Sequence, residues 1–248
     1  MASFILVHGS WHGGWCFDAL RPLLEAQGHE MIAPDLPGME PGAHDIAAIT
    51  LNGWATTVAD WCRQATQSPV ILCGHSRGGL VISQAAELAP DTIDALVYIC
   101  AMLMPPGMAR SAFKRLQQAN PAFDAIIHSL PGGGGTVIDP TNAAAVFCHQ
   151  APPAIAAAAM ARLVPEPAGP RATPLVLTAA RYGRVPRHYI ECSEDRTIPI
   201  ADQRAMQAMQ PCASVATLPA DHSPFLTMPD ALAARLIAIA DNHAAEQR

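Results

Sequence analysis

The sequence predicts an α/β fold: a doubly wound, mostly parallel sheet with helices on both faces and an inserted cap. Three observations predict it. Short, continuous apolar runs recur along the chain, as expected for strands covered on both faces. Helical patterns fill the intervals between them. The run Val70-Ile71-Leu72-Cys73 then breaks into Gly74-x-Ser76-x-Gly78, the pattern of a tight strand-to-helix turn with a serine at its apex.

In chain order, the expected strands are Phe4–Val7, Glu30–Ala33, Val70–Cys73, Ala95–Cys100, His188–Cys192 and Ser214–Leu218. The expected helices are Asp18–Gln27 (stopped by Gly28), Asn52–Ala65, Gly79–Ala89 (stopped by Pro90) and Ala201–Met209. Pro22 falls near the start of the first, where a missing N–H does least harm. Asp230–His243 places Leu232, Leu236 and Ile239 on one face, which suits a closing helix against the sheet. Residues 102–185 break this rhythm. They are rich in Pro, Gly and Ala, with helix candidates at Phe113–Ala119 and Ala154–Leu163. Their position between two strands suggests a cap over the strand ends, where ligands sit in such sheets. The glycine run 132–135 reads as a surface loop rather than a hinge.

Half of the 248 residues are apolar and 15% are charged, which allows a large core and argues against disorder. One domain spanning 1–248, with the insertion, is expected rather than two. A formal charge of −6 argues against nucleic acid or an anionic membrane as partner. No apolar window reaches bilayer-spanning length. Met1-Ala2-Ser3 leads straight into Phe4–Val7, without the basic start, longer apolar stretch and cleavage site of a signal peptide. The seven cysteines, an odd number lacking Cys-x-x-Cys spacing, read as core thiols of a cytoplasmic protein rather than disulfides or a zinc site.

The chemistry starts at Ser76. Serine is a weak nucleophile at neutral pH and needs a base, itself oriented by a carboxylate. For this kind of sheet the order along the chain is serine, acid, histidine. Glu194-Asp195 follows the strand ending at Cys192, and Asp221-His222 follows the strand ending at Leu218. Both therefore fall at the same rim as Ser76. His222 is the base expected from position; the acid is Asp195 or its rival Glu194, and the preference for Asp195 rests in part on a family resemblance. Asp221 is too close in sequence to fold back onto its neighbour's ring. An oxyanion formed at this serine needs N–H donors, one from Arg77 and one from the loop His8–Gly14. His8 and His12 lie four apart on a glycine-rich loop without a His-Glu-x-x-His pattern, and no strand leads into a nucleotide-binding loop, so neither metal nor cofactor is expected.

Several segments together resemble the α/β-hydrolase superfamily. They are Leu6–Trp15, Leu23–His29 with Ala33–Leu36, Gly74–Gly79, Val185–Pro199 and Asp221–Phe225. More narrowly, they are similar to the branch of plant methylesterases, plant hydroxynitrile lyases and bacterial carboxylesterases, pyrethroid-hydrolysing ones included. The resemblance covers the sheet but not the cap. It implies Ser76 as nucleophile, His222 as base, Asp195 as orienting acid, and the amides of Ser10 and Arg77 as oxyanion hole. The implied activity is a cofactor-independent serine carboxylesterase acting on small to medium hydrophobic esters. Lyases of this branch carry a threonine where this chain has Gly9 and a lysine where it has Ser223, so the esterase is the better reading and the lyase the alternative. A ligand-binding receptor that keeps the triad shape with little turnover is the third. An aspartate-nucleophile dehalogenase or epoxide hydrolase is disfavoured by the serine at the apex. Met102, Met104, Met108 and Met160 are read either as pocket lining or as ordinary core. A homodimer is left open.

Overall fold

The computed structural model describes residues 1–43, 45–117 and 119–246. Six strands form one sheet: β1 (Ser3–Val7), β2 (Glu30–Ile32), β3 (Val70–His75), β4 (Ala95–Ile99), and, after an insertion that holds β5–β7, β8 (Arg187–Cys192) and β9 (Ser214–Leu218). Their order is β2-β1-β3-β4-β8-β9, and every neighbouring pair is parallel. All six expected strands are present, with ends shifted by two residues or fewer.

The alternation of side chains explains why the strand sequences are apolar throughout. Ile5, Val7, Leu72, Leu96 and Tyr98 face one way, packing on α2 (Leu51–Gln64) and α3 (Gly78–Leu88). Phe4, Leu6, Ile71, Cys73, Val97 and Ile99 face the other, packing with Leu24 of α1 (Arg21–Glu25) and with Leu232 and Leu236 of the closing helix, Pro229–Glu246. On the central strands β1, β3 and β4 neither face meets water, so neither carries a polar stripe, whereas the edge strand β9 is largely exposed. Among the described residues no helix is long and apolar enough to cross a membrane. All seven cysteines are free thiols, six of them buried.

Topology marks where the ligand site should lie. The chain runs from β1 outward to β2, then returns to place β3 on the other side of β1. The loops leaving β1 and β3 therefore diverge to opposite faces and open a crevice at the carboxyl ends of the two strands. The Ser10 loop and Ser76 sit at that crevice.

The insertion between β4 and β8 departs most from expectation. It contains a second, antiparallel sheet in the order β5-β6-β7, from β5 (Ile127–Ser129), β6 (Gly135–Ile138) and β7 (Glu166–Pro167). Its helices are α4 (Arg110–Lys114), α5 (Pro121–Ala125), α6 (Pro140–Phe147), α7 (Pro153–Met160) and α8 (Gly169–Ala172). The helix expected at Phe113–Ala119 starts earlier and stops at Lys114; Gln118 lies outside the described residues. Phe113 is buried but Leu116, its apparent partner one turn on, is exposed, so that spacing does not mark a buried face. Asn120 instead caps the following helix, its Oδ1 accepting the Phe123 N–H at 3.3 Å. The glycine run is a hairpin turn joining β5 to β6, with Gly132, Gly133 and Gly134 all near φ +80°. Phe123, Ile138, Phe147 and Met160 of the insertion bury one another together with Trp11 from the loop after β1. The sheet is completed by α9 (Ile200–Met209), α10 (Pro224–Thr227) and α11, the closing helix Pro229–Glu246.

Candidate active site

Ser76 occupies the apex between β3 and α3 with φ +53°, a backbone conformation that L-residues other than Asn and Asp rarely adopt. Neighbouring backbone holds it there. Its N–H donates to the Ile99 carbonyl at 3.3 Å, and its carbonyl accepts from Gly79 and Met102 at 3.1 and 2.8 Å. Crowding accounts for the flanking glycines. A Cβ on Gly74 would sit 2.8 Å from the Gly78 backbone, and one on Gly78 would sit 2.5 Å from the Val7 carbonyl oxygen.

The loops following β8 and β9 bring the expected partners to this apex. His222 Nε2 lies 3.0 Å from Ser76 Oγ, and His222 Nδ1 lies 2.7 Å from Asp195 Oδ2. All three side chains are buried. With Nδ1–H donating to the carboxylate, Nε2 is left as the acceptor that faces the serine hydroxyl. The other oxygen, Asp195 Oδ1, accepts the N–H groups of Thr197 and Ile198 at 2.7 and 2.9 Å. The rival carboxylates point elsewhere. Glu194 is exposed and accepts from the adjacent Ser193 hydroxyl. Asp221 accepts from the N–H groups of Gln150 and Ser223.

Ser10 and Arg77 meet the site differently. Ser10 lines the same cavity as Ser76 and His222, whereas the Arg77 side chain is turned into the protein interior. Neither backbone N–H takes a carbonyl partner among the described residues. The cavity measures about 390 Å³ and has Trp11, Met102, Phe123, Ile127 and Phe147 on its walls. That volume suits a small to medium ligand. Of the four methionines in question only Met102 reaches it; Met104 and Met160 are core, and Met108 packs against the core. Three further imidazoles surround the site. Burial lowers His8 to about 3 and His12 to about 4, and pushes His75 well below the usual histidine value. All three are uncharged near neutral pH.

The sequence profile of the alpha/beta hydrolase family matches residues 4–235. The chain belongs to the alpha/beta hydrolase family. Among its relatives is a pyrethroid hydrolase of Sphingobium wenxiniae, 34% identical over 97% of this chain and 88% of the relative. Methylesterase 2 of Arabidopsis thaliana is 30% identical over 96% of each chain. The crystal structure of a pyrethroid hydrolase from Sphingobium faniae JZ-2 superposes with a TM-score of 0.86 at 32% identity, covering 97% of this chain and 98% of that one.

In this alpha/beta hydrolase the constellation is braced by residues that no motif announces. Gln203 on α9 is wholly buried; its Nε2 donates to the carbonyls of Ile198 and Cys192 at 2.7 and 3.0 Å, and its Oε1 accepts the Cys192 N–H at 3.0 Å. It therefore ties both ends of the Asp195 loop together. His75 donates from Nε2 to the His222 carbonyl at 2.7 Å, fixing the backbone that carries the base.

Glu166 on β7 is the third such residue. It is fully buried, with Oε1 3.0 Å from Arg77 Nε and 3.1 Å from Ser10 Oγ, and with Oε2 accepting the Trp11 N–H at 3.0 Å. Arg77 also donates to the Gly9 carbonyl at 3.0 Å and stacks 4.1 Å over Trp54. One carboxylate of the insertion thus fastens the Ser10 loop to the residue after Ser76. Burial draws the Arg77 pKa down to about 10, which leaves the guanidinium charged at neutral pH.

Proposed function

We propose that this chain, an esterase of the alpha/beta hydrolase type, cleaves small to medium hydrophobic carboxylic esters through an acyl-enzyme on Ser76. The observation that carries the reading is the continuous relay Ser76–His222–Asp195, at 3.0 and 2.7 Å, opening on a cavity with a mostly apolar wall. Ser76 Oγ attacks the ester carbonyl as its proton passes to His222 Nε2. Asp195 holds the Nδ1–H and offsets the charge of the imidazolium. The Ser10 and Arg77 amides receive the oxyanion, a contribution of about 3 kcal/mol per donor. The imidazolium then protonates the leaving alkoxide. In the second half, His222 takes a proton from water, and the hydroxide it generates releases the acid and frees Ser76. The inserted segment acts as a cap, supplying Phe123, Ile127 and Phe147 to the apolar wall.

Two positions weigh against cyanohydrin cleavage. A Cβ on Gly9 would fall 2.8 Å from Ser76 Cβ and 2.9 Å from His75 Nδ1, so a threonine there would displace both. Ser223, also fully buried, places an uncharged hydroxyl where the lyases of this branch carry a lysine. A series of 4-nitrophenyl esters from acetate to laurate tests the reading against mandelonitrile. Ester turnover is expected to peak at short or medium acyl chains, as the cavity volume favours. Cyanide release faster than any ester turnover would replace the esterase with the lyase.

A further inference from the structure

The wall of the cavity carries an excess of positive charge that ester hydrolysis alone does not use. Arg110 and Lys114 of α4 and Arg171 of α8 all line it, and no carboxylate among the described residues does. This is notable in a chain whose formal charge is −6. Lys114 is neutralised locally by an ion pair with Asp124. Neither arginine forms an ion pair among the described residues. Arg110 Nη1 and Arg171 Nε are both shielded from solvent and have no hydrogen-bond partner among the described residues. Asp124 and Asp202 act on Arg110 only through space, since Asp124 is held by Lys114 and Asp202 accepts from the Gln117 amide at 2.7 Å.

Buried N–H donors without acceptors are costly, and the cost is greater when they are charged. The two guanidiniums also oppose each other: burial first, then the charge of Arg171, lowers the Arg110 pKa. Side chains held in this state stabilise an incoming anion, which would satisfy both donors and remove the repulsion. Guanidinium forks match a carboxylate in shape as well as charge.

Resting on the esterase reading above, we propose that Arg110 and Arg171 form an anion-binding subsite, and that the preferred substrate is an ester carrying a second, ionised carboxylate. The reaction consumes one water and yields an alcohol and a dicarboxylate, or a hydroxy acid and a simple acid, depending on which side bears the charge. Trp11, Phe123 and Ile127 would hold the methylene chain between the two ends.

The test compares monomethyl adipate with methyl hexanoate, and 4-acetoxybutyrate with butyl acetate, in a pH-stat at pH 7.5. The expected result is a kcat/KM ratio of charged to neutral ester of about tenfold or more in one pair. That pair identifies the charged side of the substrate. Arg110→Gln and Arg171→Gln should each lower the ratio about tenfold, through KM. Ratios at or below one in both pairs, or ratios unchanged in both variants, overturn the proposal. Calorimetric titration of Ser76→Ala with adipate and with hexanoate separates this failure from that of the esterase reading. Tighter adipate binding that is lost with Arg110→Gln supports the subsite even without turnover, and equal binding of the two acids overturns it.

Discussion

Replacing His222 by alanine is expected to lower kcat/KM for 4-nitrophenyl butyrate by at least about 10⁴-fold, with the protein still folded. The argument is geometric. His222 Nε2 is the one base within hydrogen-bond reach of Ser76 Oγ among the described residues, at 3.0 Å. The other nearby imidazoles do not substitute for it. His75 is committed to the His222 carbonyl and His12 Nδ1 to the Ser10 carbonyl. Ser76→Ala should show a loss of the same size. The double variant should be no worse than either single one, because the two groups act in one proton transfer and each is idle without the other. Losses that multiply would mean that serine and histidine act in separate steps, contrary to the relay proposed here.

Glu166→Ala is expected to be the most destabilising substitution outside the apolar core. Arg77 and Glu166 are both fully buried, so removing the carboxylate leaves an uncompensated cation in the interior. Such losses run to about 3–5 kcal/mol. The Trp11 N–H and the Ser10 hydroxyl lose their acceptor at the same time. Urea unfolding followed by circular dichroism should show this as a lower midpoint. Glu166→Gln keeps acceptor capacity without the charge and should lose less stability, yet it loosens the Ser10 loop. Its kcat should therefore fall, by up to about 100-fold for displacements on the order of 1 Å. A Glu166→Ala protein as stable as the wild type would show that the pair does not hold the loop to the elbow.

What the sequence revealed and what it hid differ in range. Ser76 was legible because the constraint is local: glycines two residues either side, an apolar strand before and a helix after. The central strands β1, β3 and β4 were legible because both of their faces are buried, which writes a nearly continuous apolar run into each. His222 followed from chain order. The choice between Glu194 and Asp195 needed more than spacing, since it depends on the Thr197 and Ile198 amides turning toward one of two adjacent carboxylates. Glu166 left no signature at all. Its partners Ser10 and Trp11 are more than 150 residues away in the chain, and an isolated glutamate in a Pro-rich stretch resembles a surface residue. The insertion was equally opaque. Its helices span four to eight residues and its strands two to four, too short for periodicity to show, and tertiary contacts set their ends.

The most direct measurement is to treat the protein with diethyl 4-nitrophenyl phosphate and map the adduct by peptide mass spectrometry. An activated serine displaces 4-nitrophenolate and keeps the diethylphosphoryl group on its Oγ. The account predicts one adduct per chain, on Ser76, formed together with loss of esterase activity and greatly slowed in His222→Ala. Complete modification of Ser76 with esterase activity intact, or inactivation with the adduct on another residue, would contradict it.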